Sequence, residues 1–76
     1  MFENKTTLEI VQIAAAGGGF RLKANNRTTL ELVQIAAASN KGTKIFFSGL
    51  RNRTQLELVQ IAAAGKGCIF FDDELT

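Results

Sequence analysis

The sequence predicts an α/β fold made of three copies of one helix-then-strand unit. The expected architecture has two layers, with a three-stranded parallel sheet and all three helices on one of its faces. Three observations carry this. A thirteen-residue pattern occurs three times, a helix-start signal sits inside each occurrence, and a short run rich in aromatic and branched residues follows each one. The copies read Asn-Lys-Thr-Thr-Leu-Glu-Ile-Val-Gln-Ile-Ala-Ala-Ala at 4–16, Asn-Arg-Thr-Thr-Leu-Glu-Leu-Val-Gln-Ile-Ala-Ala-Ala at 26–38 and Asn-Arg-Thr-Gln-Leu-Glu-Leu-Val-Gln-Ile-Ala-Ala-Ala at 52–64. Only three columns vary: Lys5/Arg27/Arg53, Thr7/Thr29/Gln55 and Ile10/Leu32/Leu58. The offsets of 22 and 26 residues fall in the range of stacked repeats. The chain reads as a single domain, 1–76, divided into repeats 4–25, 26–51 and 52–76.

Each helix announces its own start. Thr6 with Glu9, Thr28 with Glu31 and Thr54 with Glu57 have the spacing of a capping box. There the threonine hydroxyl accepts from the third helical amide and the glutamate reaches back to the cap amide. Gly17, the Ser39–Asn40 pair and Gly65 supply stops, because they tolerate the left-handed conformation. Helices are expected over 7–16, 29–38 and 55–64. On a helical wheel apolar side chains wrap most of each circumference, with Glu9, Gln12 and Ala16 in the one polar sector. Such helices need cover below and on both flanks, which side-by-side packing on a sheet provides.

Strands are expected at 20–24, 44–48 and 68–72, each bounded by turn-formers. A helix between two strands is a crossover, so the strands are parallel and sequential. Aligning these runs places Leu22, Phe46 and Phe70 on one face. Arg21, Lys23, Ile45, Phe47, Ile69 and Phe71 fall on the other.

Composition excludes much. The chain has 76 residues, a net charge of +2, one cysteine and no histidine. No internal disulfide and no conventional zinc site can form. With neither histidine nor tyrosine, acid–base catalysis falls to carboxylates or lysine, so the chain is not expected to be an enzyme and no cofactor is expected. The acidic residues Asp72, Asp73 and Glu74 read as a solvated tail, and Cys68 as core filler between apolar neighbours. Gly17-Gly18-Gly19 follows a helix, whereas phosphate-cradling loops precede one. No apolar run approaches a membrane span and no secretory leader is apparent, so a cytoplasmic location is expected.

Two resemblances attach to the repeat. The run at 6–19 resembles the opening of a TAL-effector DNA-reading repeat, Thr-Pro-x-Gln-Val-Val-x-Ile-Ala-x-x-Gly-Gly-Gly. That family has a longer period and a second helix where this chain has a strand-like run. Phe20-x-Leu22-x-x-Asn25 is similar to the strand of a leucine-rich repeat, although copies two and three lack the asparagine. These resemblances imply helix and strand geometry only, and no activity.

Two surfaces remain as candidates. Lys5, Arg27 and Arg53 recur before every helix, where three helix N-termini bring partial positive charge to one edge of the sheet. They form a candidate anion-binding row for phosphate or nucleic acid. The stacked Glu and Gln stripe, Glu9, Gln12, Glu31, Gln34, Glu57 and Gln60, is a second repeated polar feature, read either as a selected binding face or as a relic of duplication, with duplication favoured. Ile45, Phe47, Ile69 and Phe71 form a candidate oligomer interface, since helices cover one sheet face only. Each is worth about 1.5–3 kcal/mol if buried, and a small domain has few other sources of stability. The expected function is therefore a non-enzymatic protein–protein interaction module acting as a homo-oligomer, most simply a dimer. Phosphate or nucleic-acid binding along the basic row is the alternative.

Overall fold

A computed structural model describes Phe2 and residues 4–72 of the chain. The elements alternate as predicted: α1 (Thr7–Ala15), β1 (Phe20–Lys23), α2 (Thr29–Ala38), β2 (Ile45–Ser48), α3 (Gln55–Gly65) and β3 (Ile69–Phe71). The strands form one open parallel sheet in the order β1-β2-β3, and each helix packs against its neighbour in sequence. Asp73 and Glu74, part of the acidic run, lie outside the described residues.

All three capping boxes are present, with both halves made. Two of the three stops differ from expectation. Ser39 ends α2 in an extended conformation, its hydroxyl donating to the Ala36 carbonyl at 2.6 Å. In the third copy Lys66, not Gly65, takes the left-handed position, with φ +50°. Gly65 is required for a different reason. A Cβ there would lie 2.1 Å from Ile69 Cγ1, so α3 sits on β3 only because position 65 has no side chain.

The core lies between the layers: Ile10, Leu32, Ile35 and Ile61 from the helices meet Phe20, Leu22, Ile45 and Phe47 from the sheet. The register pairs Phe20 with Ile45 and Ile69, Arg21 with Phe46 and Phe70, and Leu22 with Phe47 and Phe71. This corrects the expected faces. In β1 the alignment is one residue out of phase, and such a slip exchanges every side chain between faces. The helix side is Phe20, Leu22, Ile45, Phe47, Ile69 and Phe71, while the bare side is Arg21, Lys23, Phe46, Ser48 and Phe70. Alternation in β1 follows this, with Phe20 and Leu22 buried and Arg21 and Lys23 exposed.

Candidate functional site: two basic rows

The helix N-terminal edge is a hydrogen-bonded relay that joins each copy to the next. Arg27 Nη1 donates to Thr7 Oγ1 at 2.8 Å, and the Thr7 hydroxyl donates to Glu31 Oε2 at 3.0 Å. The other oxygen of Glu31 accepts the Thr28 amide at 2.8 Å. One copy later the same bonds recur: Arg53 Nη1 to Thr29 Oγ1 at 2.9 Å, Thr29 Oγ1 to Glu57 Oε2 at 2.9 Å, and the Thr54 amide to Glu57 Oε1 at 2.8 Å. Each guanidinium also takes two carbonyls from earlier in the chain. Arg27 Nη2 bonds the Phe2 and Lys5 oxygens, and Arg53 Nη2 bonds those of Ala24 and Arg27.

This geometry places two members of the expected anion row within the relay. Arg27 and Arg53 are half-buried and committed to their neighbours, which leaves Lys5 as the exposed member. A cation beside a helix N-terminus opposes the helix dipole. Here it is retained because its planar fork matches two carbonyls and a hydroxyl at once.

The glutamates follow from the same bonds. The Thr28 amide, then the Thr7 hydroxyl, holds Glu31 below the usual glutamate pKa, and the Thr54 amide and Thr29 hydroxyl do the same for Glu57. Glu9 is lowered as well, chiefly by the Thr6 amide. The Glu and Gln stripe therefore divides. Its glutamates are structural, while Gln12, Gln34 and Gln60 are exposed.

Among the described residues Thr7 and Thr29 each meet an arginine and a glutamate of the next copy, whereas Gln55 is exposed.

The second basic row lies on the bare face of the sheet, and sequence reasoning missed it as a site. Arg21 extends across β2 with its guanidinium 4.5 Å above the Phe46 ring and reaches Asp72, Nη1 to Oδ2 at 3.0 Å. Phe46 stacks on Phe70 with ring centroids 5.1 Å apart. Along the strands these residues form two levels, Arg21–Phe46–Phe70 and Lys23–Ser48–Asp72. The second level is continued by the Asp72 amide donating to the Phe47 carbonyl at 2.8 Å. An open groove of about 520 Å³ runs over this face toward the carboxyl ends of the strands, lined by Arg21, Lys23, Asn25, Phe46, Arg51 and Asn52 among others. The signal that could have found it is the alternation of Lys44 and Ser48 with Phe46, which marks the water-facing side of β2.

The expected interface residues sit elsewhere. Ile45 and Phe47 are fully buried beneath the helices, so they cannot meet a second chain without unfolding the first. Ile69 is half-buried, and Phe71 is 40% exposed at the outer edge of the sheet on the helix side. Three leucines form a further exposed row on the outer surface of the helix layer: Leu8, Leu30 and Leu56, each about two-thirds exposed.

Cys68 is buried, its thiol 3.2 Å from the Asn40 carbonyl. Among the described residues no helix is long and apolar enough to cross a membrane, and no group of His, Cys, Asp and Glu is placed to hold a metal ion. Comparison with protein-family models, curated proteins and solved structures found no match to this chain.

Proposed function

We propose that the protein is a non-enzymatic interaction module that works as a homo-oligomer, docking through the bare face of its sheet. The observation that carries this is the stacked pair Phe46 and Phe70 on the uncovered side of a parallel sheet. Parallel sheets are ordinarily covered on both faces, and a second layer about 10 Å away would complete the core. The face is small. Strands of up to four residues in a three-stranded sheet span about 13 by 14 Å, well below a standard interface, so association is expected to be weak and concentration-dependent. The buried free thiol of Cys68 fits a reducing compartment, and the cytoplasm is the proposed location.

Analytical ultracentrifugation over a concentration series tests the reading. The expected result is a monomer–dimer equilibrium that Phe46→Lys with Phe70→Lys moves to monomer while the circular dichroism spectrum is unchanged. A folded wild-type monomer at all concentrations refutes it.

A second reading has its own observation. The groove places Arg21, Lys23 and Arg51 around an aromatic ring near the carboxyl ends of the strands, where open α/β sheets commonly hold ligands. Cations beside a stacking ring suit single-stranded nucleic acid. Retention of a labelled RNA oligonucleotide that falls with salt and is lost in Lys23→Glu would favour it.

A further inference from the structure

The bare face is self-complementary about one axis, and this inference rests on the homo-oligomer reading. On β1 stand the cations Arg21 and Lys23, and just past β3 stands the described carboxylate, Asp72, with Phe46 and Ser48 of β2 between them, while Arg51, which also lines the groove, follows β2. Two sheets stacked face to face can be related by a two-fold axis lying between them either across the strands or along them. The first lays β1 on β1, so that Arg21 and Lys23 oppose the same cations of the second copy. The second reverses the strand order and lays β1 on β3 at the same level.

We propose that the face pairs with a second copy of this chain about a two-fold axis running along β2. Lys23 then lies opposite Asp72 of the second copy, and the pair occurs twice by symmetry. Phe46 meets its symmetry mate at the centre, beneath the Arg21 side chains. The Arg21–Asp72 bond within each chain persists, because a carboxylate has two oxygens and only Oδ2 is used by Arg21. Each Arg21 is thereby neutralised before the sheets meet, which removes the repulsion two stacked guanidiniums would otherwise bring. Electrostatic matching selects this axis over the other, since like charges face to face are strongly disfavoured. The symmetry closes on itself, so the product is a dimer and not a fibre.

The experiment mixes two charge-reversed chains. Lys23→Glu alone and Asp72→Lys alone each place like charges together in a homodimer, and each is expected to weaken association at least about tenfold. In an equimolar mixture both inter-copy pairs again join opposite charges, one with reversed sign and the other, Lys23 with Asp72, as in the wild type. A heterodimer is expected to form at concentrations where neither variant alone dimerises. Sedimentation with one chain fluorescently labelled reads this directly. Rescue within one chain cannot imitate it, because neither variant carries both changes. Circular dichroism checks that each variant is folded. If Asp72→Lys does not fold, a rise in the wild-type dissociation constant with salt, absent in Lys23→Gln, is the expected second readout. Single variants that dimerise like the wild type, or a mixture that stays monomeric while the wild type dimerises, overturn the axis and leave self-association standing. A wild type that is monomeric throughout overturns both.

Discussion

The protein carries two rows of cations, one at the helix N-termini and one on the bare sheet face, and only the first is repeated in the sequence. Arg27 and Arg53 recur because each must meet the same threonine and the same carbonyls one copy back. Arg21 and Lys23 have no counterparts at their level in β2 or β3, where Phe46, Ser48, Phe70 and Asp72 stand instead. For the cations, recurrence marks what the units do to one another, and the two that do not recur are the ones left to face outward.

The largest test asks where the boundary between the covered and bare faces lies. Phe46 and Phe47 are neighbours in the chain on opposite sides of the sheet. Phe47→Lys puts a charge into the core and should cost more than about 4 kcal/mol, enough to unfold a domain this small. Phe46→Lys should leave the helical circular dichroism signal and thermal midpoint nearly unchanged.

Next in size is the contrast between the rows. Arg53→Gln should lower unfolding free energy by about 2–3 kcal/mol in urea, since it strands a hydroxyl and two carbonyls together. Lys23→Gln should stay within about 0.5 kcal/mol. Equal losses would erase the distinction.

Acid provides a graded version of the same comparison. Glu31 and Glu57 have folded-state pKa values below the usual 4.5. Their contribution is therefore complete above that value and is lost as pH falls through it toward the lower folded values. Stability should decline below pH 4.5, and Glu31→Gln with Glu57→Gln should flatten that decline.

The smallest expected effect concerns the end of the relay. Gln55→Thr should change stability by less than about 0.5 kcal/mol, because Gln55 is exposed. Thr29→Gln, the same exchange one copy earlier, should cost about 1–2 kcal/mol.

Element order, helix starts and parallel connection were legible because they are local. A capping box is four residues long, and crossover handedness follows from chain geometry. The phase of β1 was not. The spacers between helix and strand differ in length, so three aligned helices do not align three strands, and one residue decides the face. The charged side chains of β1 held the answer, since helices wrapped in apolar groups cannot cover Arg21 and Lys23. The relay was illegible for another reason. Arginine before a helix reads as surface charge until a neighbouring threonine is placed within reach, and that placement is tertiary. Asn40 is a similar case, its side-chain amide bonding the Ala15 carbonyl at the end of the previous helix.

The relay joins each helix start to the one before it, and the helices pack in sequence. Cooperativity in such a stack runs through nearest neighbours, so opening starts at the ends. The middle copy is clamped from both sides, whereas β3 has three residues and a single strand beside it. Hydrogen exchange should accordingly be graded across the sheet. The amides around buried Ile35 should exchange only through global unfolding, whereas the Ile45 amide, which donates to the Cys68 carbonyl, should open with the third copy. Ile69 and Phe70 should exchange through fraying of the third copy alone, with a free energy well short of the global value.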